Sequence, residues 1–127
     1  MITFDGAFYR ITDPKFEMTI PAWEGYEPGT ADQADATITF PDGSRRYATF
    51  MTLQVVQQIM DKDAHTGESL GGQYFWCSDL IIIRDIGFES MAAAIRDLVS
   101  SGFIEGACGL LDPLDDEEEV DMQRGTG

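Results

Sequence analysis

The stretch ATITFPDGSRRYATF, residues 36–50, holds two β-prone runs on either side of a turn signal. Apolar or small residues alternate with threonine from Ala36 to Phe40, and a second such run extends from Arg45 to Phe50. Between them, Pro41-Asp42-Gly43-Ser44 combines residues that set or tolerate turn geometry. The pattern predicts a β-hairpin. Thr52 then stands where it can cap a helix through about residue 65, with Leu53, Val56, Ile59 and Met60 on one stripe and Gly67 as its stop. A hairpin that runs directly into a helix departs from the strict strand–helix alternation of a doubly wound fold.

Toward the N-terminus, Phe8 to Ile11 and Phe16 to Ile20 flank the turn signal Thr12-Asp13-Pro14 and predict another hairpin. Pro21 to Gly29 is too rich in proline and glycine for a helix or a central strand and reads as a loop. Toward the C-terminus, Gln73-Tyr74-Phe75-Trp76 and Asp79 to Arg84 read as two strands or one bent strand. The run Leu80-Ile81-Ile82-Ile83 implies burial on both faces and a central place in the sheet. After Gly87 the period becomes helical: Phe88, Met91, Ala92, Ile95, Leu98 and Val99 share a face that ends at Gly102. Phe103 to Leu111 adds a last short strand, loosened by Gly106 and Gly109.

The expected class is therefore α+β: an antiparallel or mixed β-sheet with two helices packed on it. Residues 1–111 form a single globular domain in this reading. Residues 112–127, with the run Asp115 to Glu119, form an acidic tail expected to be disordered. At 127 residues the chain can support one core, burying about two thirds of its unfolded surface.

Charge is the compositional outlier, since 23 acidic and 8 basic side chains give a net −15. The tail holds 7 of those acids and only Arg124 in return, so residues 1–111 still carry −9. Such a field repels phosphate backbones and anionic membranes and steers cationic partners inward. Direct nucleic-acid binding is disfavoured, although high net charge also serves solubility alone. Cys77 and Cys108 give neither a disulfide framework nor metal-ligand spacing. No basic stretch or apolar run of signal length opens the chain, and a reducing cytoplasm is the expected compartment.

Catalytic patterns are weak. His65, the sole histidine, falls in the last helical turn, where capping suits an imidazolium better than a Cys77–His65 dyad suits a cysteine beside Trp76. Asp61, Asp63 and His65 alternate like a calcium loop, but Thr66 and Gly72 occupy the positions that should hold glycine and glutamate. Gly71-Gly72 belongs to no phosphate-loop motif and reads as a tight turn or bulge. Tyr74-Phe75-Trp76 lacks the basic neighbours of a base-stacking platform and is better explained by alternating core and surface positions. No catalytic residue, cofactor or metal is expected.

The candidate binding residues are Trp23, Glu24, Tyr26 and Glu27, followed by Asp32 and Asp35. Aromatic side chains among carboxylates make up a patch suited to a basic protein surface. The competing structural role for Trp23 and Tyr26 is to fold back over a sheet edge.

Tyr47-Ala48-Thr49, the helix from Leu53 to Met60, Gly67-Glu68, Gly71 to Trp76, Asp79 to Ile83 and the helix ending at Gly102 together resemble small acidic bacterial immunity proteins of polymorphic toxin systems. The resemblance covers about residues 45 to 105 and lies in size, acidity and α+β make-up. It implies a cytoplasmic protein that holds a cognate toxin inactive, often by occluding its active site, and it carries over no functional residue. Two other readings are open: a phage or plasmid DNA mimic that inhibits a host nucleic-acid-binding protein, and a small enzyme using Cys77 or a carboxylate pair.

Overall fold

Both expected hairpins form, and the same device closes each. In the computed structural model, which describes residues 2–22 and 25–111, strands β2 (Phe8–Asp13) and β3 (Phe16–Pro21) pair antiparallel. At their turn the Asp13 carboxylate accepts the Lys15 N–H at 3.0 Å. Strands β4 (Gln33–Thr39) and β5 (Arg45–Thr52) pair in turn, Thr39 opposite Arg45. Asp42 there accepts the Ser44 N–H at 2.9 Å and its hydroxyl at 2.6 Å. An aspartate that satisfies turn donors replaces water at the tightest point of the chain.

Strand β1 (Ile2–Phe4) precedes these four and lies outside β2. Helix α1 (Leu53–Thr66) follows β5 without a loop: the Thr52 hydroxyl accepts the Val55 N–H at 3.2 Å. Gly67, at φ 88°, ends it and donates to the Asp63 carbonyl, a left-handed cap that glycine takes without Cβ strain. A short kinked segment, α2 (Glu68–Gly72), whose Ser69, Leu70 and Gly71 take left-handed backbone angles, leads toward strand β6 (Leu80–Ile83). Helix α3 (Phe88–Ser101), the single turn α4 (Ile104–Ala107) and strand β7 (Gly109–Leu111) complete the order.

The sheet runs β1-β2-β3-β4-β5-β6, antiparallel except for the parallel β5–β6 pair. β7 pairs antiparallel with the first half of β5, and β6 pairs with its second half. The two short strands thus lie end to end along one side of β5. This is the expected α+β class, with a mixed sheet.

One face of the sheet carries the core. Phe16, Met18 and Ile20 of β3, Ala34, Ala36 and Ile38 of β4, and Ala48 and Phe50 of β5 alternate inward. Phe88, Met91, Ala92 and Ile95 of α3 close over them. Each is nearly inaccessible to water, and burying a side chain of Phe, Met or Ile size contributes about 1.5–3 kcal/mol. Small alanines at the centre of β4 and β5 leave room for the helix. The β5–α1–α2–β6 connection joins neighbouring parallel strands and so crosses over the sheet. Its buried residue Val55 takes no part in the α3-side cluster.

Four expectations change. The Leu80–Ile83 run is the edge of the sheet beyond β5, and Ile82 is 49% exposed. An apolar run states that water is unwelcome, but it does not state whether a further strand excludes it. Gln73–Trp76 forms no strand, although Phe75 and Cys77 are half-buried beside exposed Tyr74 and Trp76. Leu53 leaves the stripe it was assigned: it stands 68% exposed at the first position of α1, past the end of β5, while Val55 and Asp63 are the buried residues of that helix. The last segment, expected as one strand, begins instead with α4. The expected tail 112–127 lies outside the described residues.

Candidate protein-interaction surface

No described strand lies beyond β6, and Ile82 on it is exposed. The Thr49 N–H donates to the Asp79 carbonyl at 3.0 Å, with Thr49 opposite Leu80 and Met51 opposite Ile82. In a parallel ladder this register turns the main-chain groups of Asp79, Ile81 and Ile83 toward β5. Those of Leu80 and Ile82 point away from the sheet, and no described strand pairs with them.

Apolar side chains gather in the same part of the chain. Of nine large hydrophobic residues exposed among the described residues, six fall between Leu53 and Ile86: Leu53, Leu70, Tyr74, Trp76, Ile82 and Ile86. Trp76 is 73% and Ile86 50% exposed. Leu53 and Ile86 line a hollow of about 180 Å³ together with Thr52, Gln54, Ile83 and Arg84. Exposed hydrophobic residues scattered singly are ordinary in a soluble domain; Leu53 and Ile86 together at the end of an edge strand that itself exposes Ile82 are the make-up of a contact surface.

Behind this edge the structure is well braced. Asp79 takes a left-handed conformation, φ 59°, at the start of β6, and its carboxylate accepts the Gly109 N–H at 2.8 Å and the Ser78 hydroxyl at 3.1 Å. Arg46 Nη1 donates to the Cys108 carbonyl at 2.7 Å. The Gly109 bond joins the start of β7 to the start of β6, and the Arg46 bond ties β5 to the residue before β7. On the face opposite α3, the Thr49 hydroxyl lies 3.2 Å from Asp35 Oδ1 and 3.3 Å from the Tyr47 hydroxyl. Burial pushes the Cys77 thiol up from its ordinary value, and nearby Asp35 and Asp79 add to the shift. Burial likewise pushes Cys108 up to about 11. Neither thiol is poised as a thiolate nucleophile.

His65 Nδ1 lies 2.9 Å from the Asp61 carbonyl in the last turn of α1, the end of a helix where an imidazole group is favoured. Among the described residues no three His, Cys, Asp or Glu side chains converge to hold a metal ion. None of the described helices is long and apolar enough to cross a membrane.

The described candidate loop residues, Tyr26, Glu27, Asp32 and Asp35, do not share one face. Trp23 and Glu24 lie outside the described residues. Tyr26 packs against the α3-side core, the structural role weighed against binding. Glu27 is exposed, and its carbonyl accepts the Thr30 and Ala31 N–H groups. Asp32 is half-buried just before β4, and its carbonyl accepts the Thr52 N–H at 3.1 Å. Asp35 emerges on the opposite face of the sheet from Tyr26, since its neighbours Ala34 and Ala36 point into the core. In sequence, each exposed residue of the β6 region has an equally good core reading. Their density between Tyr74 and Ile86 was the available signal.

No family model, curated protein or solved structure matches this chain. Chemistry and geometry alone therefore support a reading of the surface.

Proposed function

We propose that this chain is an acidic binding protein that neutralises a cognate basic protein, in the manner of an immunity protein that holds a bacterial toxin inactive by occluding its active site. One observation carries the reading: a chain of net charge −15 leaves large hydrophobic side chains exposed on β6 and close to it in sequence, Trp76, Ile82 and Ile86 among them. Charge of one sign steers a cationic partner to the protein, whereas desolvated aromatic and aliphatic side chains supply the affinity that survives salt.

Affinity capture from the source cell's lysate at low and high salt identifies the partner by mass. Kinetics with the captured protein then separate the two contributions. Trp76→Ala should raise the dissociation rate by about tenfold or more, the scale of a central aromatic contact. Neutralising Glu24, Glu27, Asp32 and Asp35 should slow association and flatten its salt dependence. Capture of no basic protein, or a complex indifferent to both changes, sinks the proposal.

A further inference from the structure

The outward backbone of β6 states what kind of segment would complete it. Leu80 and Ile82 each present an N–H and a C=O away from β5, at strand spacing, on an edge without proline. Lysine, proline and bulges are the usual means of blunting a sheet edge, and Leu80–Ile83 contains none of them. Such groups are met most completely by another extended chain, since only a strand offers acceptors and donors at matching intervals. A second copy of this protein is a poor occupant, because each copy carries −15 and like charges oppose their approach. The same charge favours a segment bearing lysine or arginine.

We propose that β6 accepts an extended cationic segment of a partner protein as an added strand, hydrogen-bonded through the main-chain groups of Leu80 and Ile82. The inference rests on the binding role proposed above and specifies its geometry. Apolar residues of the added segment that face Leu80 and Ile82 meet the exposed side of Ile82. Its cationic residues lie in the field of the acidic body.

The test uses the full chain, isotopically labelled, with a short capped peptide alternating lysine and valine as the probe and its glutamate–valine counterpart as the control. Leu80 and Ile82 amides should exchange rapidly in the free protein and slow by about tenfold or more at saturating lysine peptide, the signature of newly made main-chain bonds. Ile81 and Ile83 amides, already directed at β5, should change little, and the glutamate peptide should have no effect. Ile82→Pro removes one outward donor and should weaken peptide binding by about tenfold, whereas Ile82→Ser, which keeps the donor, should weaken it less. Should the proline variant fail to fold, the exchange pattern of the native chain still decides.

Unchanged Leu80 and Ile82 exchange at saturating lysine peptide, or equal slowing by both peptides, overturns strand addition. A basic protein captured through Trp76 that leaves these two amides unprotected also overturns it, while the binding role stands. Protection by the lysine peptide in a protein that captures no basic partner supports the edge and overturns the assigned role.

Discussion

Gly109 donates its N–H to Asp79 Oδ1 at 2.8 Å, and a Cβ added to Gly109 would lie 3.1 Å from that same oxygen. The bond fastens β7 to the start of β6 along one side of β5. Asp79→Ala removes the acceptor and places alanine at φ 59°, where a side chain without its own polar group is strained. The expected loss is about 1–3 kcal/mol, with Asp79→Asn losing less because asparagine keeps an acceptor and tolerates the left-handed region. Urea unfolding midpoints check the order. Equal stability of the alanine and asparagine variants would remove the latch from the account.

Neighbouring isoleucines in β6 should behave differently. Ile83 is 4% exposed within the core, whereas Ile82 is 49% exposed on the edge. Ile83→Ala is expected to cost about 2–5 kcal/mol, and Ile82→Ala less than about 1 kcal/mol. Denaturation of both variants tests the edge placement without any partner. A large loss at Ile82 would mean that its side chain is enclosed.

Asp13 links the first hairpin to α3. Its carboxylate lies 2.6 Å from Arg96 Nε, and its titration is held below the ordinary value of 3.8, first by the Lys15 N–H and next by Arg96. A carboxyl group depressed in the folded state makes the unfolded chain the better proton binder in this window, so stability rises with pH there. The contribution is complete above 3.8 and is lost as pH falls through the lower folded value. In an NMR titration, Arg96→Gln should move the Asp13 midpoint upward without restoring it fully, because the backbone bond remains. Full restoration would assign the whole depression to the arginine.

Gly72 sits against α1 so closely that a Cβ would clash with the Met60 carbonyl oxygen and fall 2.9 Å from the Ala64 nitrogen. Backbone atoms cannot retreat as a flexible side chain can. Gly72→Ala should therefore cost about 2 kcal/mol or more, and thermal unfolding would show it. A neutral substitution would indicate that α2 readily separates from α1.

The cap of α1 offers a separate check on a sequence-derived boundary. Thr52→Ala removes the acceptor for the Val55 N–H and is expected to cost about 0.5–2 kcal/mol, while Thr52→Ser retains most of that stability. Serine and alanine variants of equal midpoint would contradict the capping role.

Local interactions made much of this architecture readable in sequence. Proline, aspartate and glycine act on their own backbone or that of adjacent residues, so both hairpins announced themselves at Asp13-Pro14 and Pro41-Asp42-Gly43. Thr52, Gly67 and Gly102 marked helix ends for the same reason, and the helical spacing from Phe88 to Val99 identified the face of α3 that covers the sheet. Net charge, fixed by side-chain counts, set the sign of any partner the chain attracts.

Position in the sheet and exposure at its edge depended on tertiary structure. A run of four apolar residues reads the same whether a strand lies on one side of it or both, because hydrophobicity records aversion to water and not the neighbour that excludes it. The pairing of β5 with both β6 and β7 is contact between segments far apart in sequence, and it alone left Leu80 and Ile82 facing outward. The same long-range packing drew Tyr26 to the core and sent Asp35 to the opposite face, separating candidates that adjacency in sequence had joined.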